Sequence, residues 1–352
     1  MKCCELQNSS AGMRAQVDDI EHVDPKAWDD FVSAHPFADH YHLSGWGRVI
    51  RLSYGWPALY LTAWEGAALR GVLPMVVMGG RRKRLVSLPF LDYGGICSDH
   101  PGAIESLYKT AQSELSKVRG SVLDLRQRRD MPLLLASYSD KVTMVLRLES
   151  SSAEIWKQFK AKLRNQIRKA EKEQLATQWT SLDGLQDFYD VYACNMRDLG
   201  SPPHSRTFFG RVLTEFPEAR IILVRLRDKV IGGGLCLVFQ DTMLMPWASS
   251  LRPYLRLCPN NLLYWEAIRT ACEQGLLQFD FGRSSRGSGT YKFKKQWGAL
   301  EEPLYWRSNR CGGDLLDASG NQALGFVKQV WRHLPLGITR VVGPTLRRRI
   351  SN

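Results

Sequence analysis

The residues best suited to chemistry lie close together in one short segment, residues 291–298, which reads Tyr-Lys-Phe-Lys-Lys-Gln-Trp-Gly. Three lysines fall within four positions and are flanked by aromatic residues. This composition is atypical of a strand or a helix and favours a cationic wall beside a pocket. An ammonium group held against aromatic rings, where the dielectric constant is low, acts strongly on developing negative charge. We therefore predict a site that stabilises an anionic species; a solvated basic loop with packed aromatic residues is the alternative.

The charge of the whole chain agrees with an anionic partner. The 352 residues carry a formal net charge of +13, while 44% of them are hydrophobic and 24% are charged. These proportions are those of a globular protein, and the length is sufficient for two domains. An excess of positive charge favours nucleic acid, a phosphorylated metabolite or an acidic membrane surface as the partner.

The cysteines and the apolar runs limit the class of protein. The eight cysteines include no C-x-x-C pair, so the sequence predicts neither a zinc site nor a disulfide framework, and we expect no metal. Scattered cysteines in apolar runs indicate free thiols in a reducing compartment. No run of 18 apolar residues occurs, and the first residues lack the apolar core of a secretory signal. We expect a cytoplasmic location.

An internal repeat organises the chain. Helical periodicity from Pro25 and from Ser44 is followed by a hairpin pattern over residues 58–77. The same succession returns with helices at 185–196 and 206–215 and a hairpin over 221–239. In each half, a strand, a helix and another strand follow the hairpin. The pattern predicts an α+β protein with two copies of one unit, and the order of elements is that of the GNAT acyltransferase fold.

Several motifs make the resemblance more specific. The strongest lie at residues 87–95, 162–169, 195–200, 246–250 and 280–298. Through them, residues 20–345 resemble the FemAB-type transferases, and most closely the FemAB-like proteins associated with exosortase and exopolysaccharide systems. The resemblance implies two tandem GNAT-like domains, each with a mixed, mostly antiparallel sheet flanked by helices. We place them at 1–150 and 151–308, followed by a C-terminal segment, 309–352.

The resemblance also implies an activity. FemAB-type proteins transfer an aminoacyl group from charged tRNA to an amine of a peptidoglycan precursor. We therefore expect an N-acyltransferase or aminoacyltransferase that modifies an amino group of a peptidoglycan or exopolysaccharide precursor, with no bound cofactor. In the family, a Phe-Lys pair closes the catalytic groove, and by motif it falls on Phe293 and Lys294. The lysine would stabilise the oxyanion formed when an amine attacks the acyl carbonyl.

Other positions follow from the same motifs. The basic residue after a tryptophan and the arginine before an aromatic pair, which hold a diphosphate in the family, match Arg48 and Arg206. Either arginine could instead extend from an amphipathic helix into water. An acidic residue that assists the acceptor amine would be Asp99, or else Asp92.

Three further residues of the motif segment complete the expected site. We assign Tyr291, Asp280 and Arg283 to substrate binding. An ion pair between Asp280 and Arg283 could order the site, or it could be a purely structural pair at the end of a strand.

The acyl donor stays open between acyl-CoA and aminoacyl-tRNA. The chain has no insertion long enough for the helical arm of many tRNA-dependent relatives. The stretch at 251–260, where acyl-CoA enzymes of this fold cradle pyrophosphate on a glycine-bearing loop, contains no glycine. A basic helix at 159–173 could contact phosphates or be a solvated face.

The C-terminal segment has two interpretations. An apolar stripe between Phe326 and Val342 is flanked by basic residues, including Arg347, Arg348 and Arg349. Such a segment could pack back on the first domain or rest on an anionic membrane, at its inner face, where a lipid-linked precursor would be found. The rival to an enzyme is a non-catalytic module that recruits an anionic glycolipid or RNA.

Overall fold

Two compact units make up the molecule. The computed structural model describes residues 12–19, 24–80, 82–137, 140–309 and 322–350. The first unit comprises Met1–Ser139, Leu304–Leu315 and Ser351–Asn352, and the second comprises Asp140–Pro303 and Leu316–Ile350.

The elements follow one another in the predicted order, with additional strands. The chain begins with β1 (Met13–Asp19), α1 (Pro25–Ala34), α2 (Gly45–Tyr54), β2 (Ala58–Glu65), β3 (Ala68–Met78), β4 (Lys83–Val86), α3 (Pro101–Lys117), β5 (Gly120–Gln127), β6 (Ala136–Ser137) and β7 (Lys141–Arg147). It continues with α4 (Ser152–Gln158), α5 (Ala161–Lys172), β8 (Leu175–Thr180), α6 (Leu185–Leu199), α7 (Arg206–Glu215), β9 (Arg220–Leu226), β10 (Lys229–Phe239), β11 (Thr242–Ser250), α8 (Pro259–Glu273), β12 (Gln278–Ser285), α9 (Gly289–Lys295), β13 (Leu300–Pro303), β14 (Tyr305–Ser308), α10 (Gln322–His333) and α11 (Leu336–Arg347).

The first unit is built on a seven-stranded sheet in the order β1-β2-β3-β4-β5-β14-β6. The strands are antiparallel except for the parallel pair β4 and β5. Helix α3 packs on this sheet, and its apolar residues join the strands in one core cluster. Helix α1 contributes Trp28, whose ring meets that of Tyr60 edge to face with 4.6 Å between the centroids.

The second unit repeats the plan with the order β13-β7-β12-β11-β10-β9-β8. Here β11 and β12 form the parallel pair. Helices α4, α5 and α8 share a core cluster with one face of the sheet. Helix α6 packs on β10 and β11. At this contact the ring of Phe209 packs against the rings of Phe188 and Trp247. Both sheets are mixed and mostly antiparallel, so the predicted fold class is confirmed.

The chain passes twice from one sheet to the other. Strand β7 follows β6 in the chain but pairs with β12 of the second sheet. Strand β14 follows β13 but pairs with β5 of the first sheet. The units therefore change at residues 139–140 and 303–304, whereas the sequence suggested 150 and 308. The difference arises because sheet membership depends on pairing with distant strands, which hydrophobic periodicity does not reveal.

Local signals account for the helices that the sequence predicts. Asp24 caps α1, since its carboxylate accepts a hydrogen bond from the backbone N–H of Lys26 at 2.9 Å, and Pro25 occupies the first turn. Ser205 caps α7 in the same way through the N–H of Phe208. Helix α6 ends at Gly200, whose φ of 76° places it in the left-handed region.

The C-terminal helices belong to the second unit. Both α10 and α11 contact α6, whereas the sequence suggested the first domain or a membrane for this segment. Residues 310–321 and the side chain of Phe326 lie outside the described part of the chain. No helix among the described residues has both the length and the apolar character needed to cross a bilayer.

Candidate active site

The parallel pair of strands in the second sheet separates after three residues. Pairing runs from Thr242 opposite Gln278 to Leu244 opposite Asp280 and ends there. Beyond that point β11 continues along β10, and β12 continues along β7. Because the two strands no longer share hydrogen bonds, their facing backbone groups can receive an extended ligand.

A β-bulge occupies the place where the strands separate. The register between β12 and β7 shifts between Asp280 and Arg283, and Gly282 has a φ of 74°, a value that glycine adopts without strain. Asp280 is fully buried, and its carboxylate accepts hydrogen bonds from Thr143 Oγ1 at 2.6 Å and from the N–H of Gly282 at 2.7 Å. These contacts hold the bulge from inside, so Asp280 supports the site instead of presenting its carboxylate to a substrate.

Lys294 meets the same bulge from the other side. The segment that contains it forms helix α9, contrary to the non-helical structure that its composition suggests, because Ser288 Oγ caps the first turn through the N–H of Tyr291 at 3.2 Å. The helical turn buries Lys294, which is 7% exposed, and leaves Lys292 and Lys295 exposed. Its ammonium group donates to the carbonyl of Gly282 at 2.8 Å and to that of Arg283 at 2.9 Å.

The geometry fixes a positive charge beside the point where β11 and β12 separate. An ammonium group has three N–H donors, and two of those on Lys294 are directed to bulge carbonyls. The position of the charge is therefore set by the backbone of β12, and its burial weakens solvent screening. A preorganised cation of this kind can stabilise an oxyanion without reorganising during the reaction.

Aromatic residues flank the lysine in the sequence, and Phe293 packs against other rings. The ring of Phe293 lies 5.3 Å from that of Tyr264 and 6.2 Å from that of Trp297. Tyr291 points to a different partner, since its hydroxyl donates to Glu301 Oε2 at 2.6 Å. That hydrogen bond is the main cause of a lowered pKa for Glu301, with smaller contributions from Arg286 and Lys295. The side chain of Arg283 is half-buried, and its backbone carbonyl accepts a hydrogen bond from Lys294.

The two arginines assigned to phosphate lie in different units. Arg48 is half-buried on α2 of the first unit. Arg206 lies in the first turn of α7 in the second unit, where its guanidinium donates to Gln186 Oε1 at 2.6 Å.

The two acidic candidates both belong to the first unit. The carboxylate of Asp99 is 65% exposed and lies 3.6 Å from Nε2 of the buried His35. The carbonyl of Asp92 accepts a hydrogen bond from Trp306 Nε1 at 2.9 Å.

His35 is a neighbour of Asp99 that sequence reasoning missed. Its Nδ1 accepts a hydrogen bond from the N–H of Phe37 at 3.2 Å, so the proton of the neutral ring resides on Nε2, facing Asp99. Burial lowers the pKa of His35, and the charge of Asp99 opposes this only in part. The ring therefore lies beside the exposed carboxylate without a hydrogen bond to it. Only folding brings positions 35 and 99 together.

No group of three or more His, Cys, Asp or Glu side chains in the described part of the chain is arranged to hold a metal ion.

Thr143 and Glu301 are further neighbours of the site that no sequence motif indicated. Thr143 reaches Asp280 only because β7 joins the second sheet.

Comparison with protein families addresses the second unit directly. Residues 157–295 match the family model described as an acetyltransferase (GNAT) domain. This part of the second unit is similar to a GNAT domain. The match covers α5 through α9, including the separated strands, the bulge and Lys294. The predicted class of enzyme, a GNAT-type acyltransferase, is confirmed at this level, with its donor undetermined.

Solved structures extend the likeness of fold to both units. The chain is similar to FemX, with a TM-score of 0.67 at 14% identity over 84% of this chain and 97% of that one. It is also similar to L-PGS from Bacillus licheniformis, with a TM-score of 0.55 at 12% identity over 94% and 98% of the two chains. A tandem GNAT protein from the clavulanic acid biosynthesis pathway aligns with a TM-score of 0.53 at 10% identity over 84% and 97%. No curated protein matches the sequence.

These likenesses support a fold of two tandem GNAT-like units. At such low identity they concern the fold alone.

Proposed function

We propose that the protein transfers an acyl or aminoacyl group to an amino group of an anionic cell-envelope precursor. The observation that carries the proposal is the buried ammonium group of Lys294, fixed by the bulge where β11 and β12 separate. An extended acyl donor would lie in the opening with its carbonyl directed to this charge. The FemAB resemblance supplies the acceptor class, a phosphate- or lipid-linked peptidoglycan or exopolysaccharide precursor.

The chemistry follows from the charge. The acceptor amine attacks the acyl carbonyl, and the carbonyl oxygen becomes an oxyanion in a tetrahedral intermediate. The carrier of the acyl group, a thiolate of coenzyme A or a hydroxyl of tRNA, then leaves, and the nitrogen loses a proton. Loss of one preorganised donor to such an oxyanion costs about 2.7–4 kcal/mol, or roughly 100- to 1,000-fold in kcat.

The assignments outside the bulge stay predictions of the resemblance. Asp99, whose carboxylate is exposed, is the residue predicted to assist the acceptor amine. Arg48 and Arg206 stay predictions for contacts with a diphosphate, and Tyr291 and Arg283 for substrate contacts. Association with exosortase or exopolysaccharide systems stays a prediction of the resemblance. A cytoplasmic location and contact with the inner face of the membrane stay predictions of the sequence.

Two observations favour a second function. Lys294 Nζ already donates to two backbone carbonyls, which would suit a purely structural lysine. Helix α5 meanwhile exposes Lys162, Arg168, Lys169 and Lys172, a face that suits phosphates. A non-catalytic module that binds an anionic glycolipid or RNA would use this charge without transferring an acyl group.

The test combines donor screening with a conservative series at Lys294. Calorimetric binding to acetyl-CoA, longer acyl-CoAs and charged or uncharged tRNA identifies the donor, after which acyl transfer to an amine is measured. We expect Lys294→Met to lower kcat by roughly 100-fold or more, as for loss of an oxyanion donor. Lys294→Arg keeps the charge and should retain more turnover.

The midpoint of thermal unfolding distinguishes a catalytic role of Lys294 from a purely structural one. Two carbonyls lose a charged donor in Lys294→Met, so the free energy of unfolding should fall by about 1–3 kcal/mol while the protein stays folded. A folded Lys294→Met variant with normal turnover excludes the catalytic role. A protein that binds anionic glycolipid or RNA but transfers no acyl group from any donor supports the binding module.

A further inference from the structure

Helix α11 exposes its apolar side chains. Val341 is 76% exposed, and Ile338, Val342 and Leu346 are exposed as well. Their spacing of three, four and eight residues from Ile338 places them on one face of the helix. Thr339 and Gly343, small or polar, are the buried residues. A surface helix ordinarily has the opposite arrangement, with its apolar face against the core.

Close packing fixes this orientation. A Cβ atom on Gly343 would lie 2.5 Å from Cδ of Pro203, so only glycine permits the observed approach. Arg340 turns inward and donates to Asp190 Oδ1 of α6 at 2.5 Å. Rotating α11 to bury Val341 would remove this ion pair and force a larger side chain toward Pro203. The exposure of the apolar face is therefore a consequence of how the helix packs.

Helix α10 also exposes apolar side chains. Val327 and Val330 are exposed, while Trp331 is buried. The backbone of α10 runs close to the end of α6, since a Cβ atom on Gly200 would lie 2.8 Å from the carbonyl oxygen of Lys328. We call the exposed set the C-terminal apolar surface; it consists of Val327, Val330, Ile338, Val341, Val342 and Leu346.

The C-terminal segment itself carries charge of one sign. The sequence from residue 318 to residue 352 contains no Asp or Glu, but it contains six lysine and arginine residues. Four of them, Lys328, Arg332, Arg348 and Arg349, are exposed. Exposed aliphatic side chains bordered by lysine and arginine are the features of helices that lie in the interface of an anionic bilayer.

We propose that the C-terminal apolar surface docks the protein on an anionic lipid bilayer. A second copy of the chain is a poorer occupant, because a two-fold contact would bring two wholly basic segments together. Nucleic acid suits the charges but leaves the aliphatic side chains without a partner, since bases stack on aromatic rings. An anionic bilayer accommodates both features, by taking the valines among its acyl chains and the basic residues beside its headgroups.

The inference deepens the proposed function, on which it rests for its purpose. Docking would hold the enzyme where a lipid-linked amine is presented. The docking itself requires neither donor nor acceptor, so it can be measured alone.

The experiment is co-sedimentation of the full chain with vesicles of phosphatidylcholine, with or without phosphatidylglycerol. We expect saturable binding only when phosphatidylglycerol is present. Val341→Glu places a charge at the centre of the apolar face and should weaken binding by tenfold or more. Arg348→Gln with Arg349→Gln should weaken it roughly 25-fold, since each basic residue near an anionic surface contributes about fivefold.

Matched controls separate the surface from general charge. Leu134→Glu makes the equivalent change at a residue of the first unit that is 92% exposed, and it should leave binding unchanged. Lys169→Gln with Lys172→Gln removes two exposed charges from α5 and should weaken binding far less than the Arg348 and Arg349 pair.

Several results would overturn the inference. Among them are indifference to phosphatidylglycerol, equal losses in the control variants, and a concentration-dependent dimer that Val341→Glu dissociates. Acyl transfer to a soluble amine without vesicle binding would refute docking but leave the proposed function standing. Vesicle binding without acyl transfer would support docking but contradict the proposed function.

Discussion

At the scale of single residues, the bulge beside Lys294 depends on one buried hydrogen bond. Thr143 Oγ1 donates to the Asp280 carboxylate at 2.6 Å, and Asp280 holds the N–H of Gly282. Thr143→Val keeps the shape of the side chain but removes the donor. Because the acceptor is a buried carboxylate, we expect the free energy of unfolding to fall by about 1–3 kcal/mol in urea titrations.

The same change should reach the reaction through Lys294. A distorted bulge would move the carbonyls that position the ammonium group, so kcat should fall while KM for the donor changes less. Thr143→Ser retains the hydroxyl and should recover most of both stability and kcat. Loss of stability with unaltered kcat would show that the bulge position does not matter to transfer.

The sequence indicated the residues of this site better than their roles. The motif singled out Lys294 and Phe293; Lys294 contacts the bulge at the strand opening, and Phe293 packs on Tyr264 and Trp297. Asp280 was assigned to substrate, but its carboxylate is directed inward to Thr143 and Gly282. Sequence shows a carboxylate near the end of a strand, whereas its direction depends on which strand lies beside it.

At the scale of secondary-structure elements, two glycines of α11 offer a matched comparison. A Cβ atom on Gly343 would lie 2.5 Å from Pro203 Cδ, whereas one on Gly337 meets no atom within 4 Å. Gly343→Ala should therefore destabilise the protein by about 1–3 kcal/mol, because the helix must shift. Gly337→Ala should raise stability by up to about 1 kcal/mol, because alanine favours a helix.

Thermal unfolding of the two variants provides the measurement. Opposite shifts of the midpoint are expected from the same added methyl group. Equal shifts would mean that the contact of α11 with Pro203 is not close in solution.

Elements with strong local signals were predicted well, and those defined by pairing were not. Regular periodicity, together with Asp24 and Pro25 at the start of α1, identified α1, α6, α7 and both hairpins. The helical form of α9 was missed, because its composition was interpreted as a loop. Strands β7 and β14 were not placed, since nothing local indicates that each joins the other sheet.

At the scale of the whole molecule, buried histidines couple stability to pH. Burial lowers the pKa of His35 and His42 in the first unit and lowers that of His204 in the second unit well below its usual value. The unfolded chain then binds protons more readily than the folded one. The stability contributed by the neutral rings is present above pH 6.5 and declines as the pH falls below it, by up to about 1.4 kcal/mol per histidine and pH unit.

Urea midpoints measured between pH 7.5 and 5 would test this dependence, with His204→Phe as the probe. The imidazole of His204 stacks on Phe208 with 4.4 Å between the ring centroids, so phenylalanine can replace it in the same aromatic surroundings without titrating. The variant should lose less stability on acidification than the wild type. Parallel pH profiles would show that protonation of His204 does not limit stability.

The sequence by itself determined the repeated α+β plan, the GNAT class and the lysine that centres the candidate site. These features are expressed in local patterns, such as periodicity, caps and short motifs, that survive without knowledge of distant contacts. Tertiary structure alone decided which strands exchange sheets, that Asp280 supports the bulge, that His35 meets Asp99, and that α11 exposes its valines. Each of these depends on which distant residue occupies the neighbouring space, and a linear pattern carries no record of that.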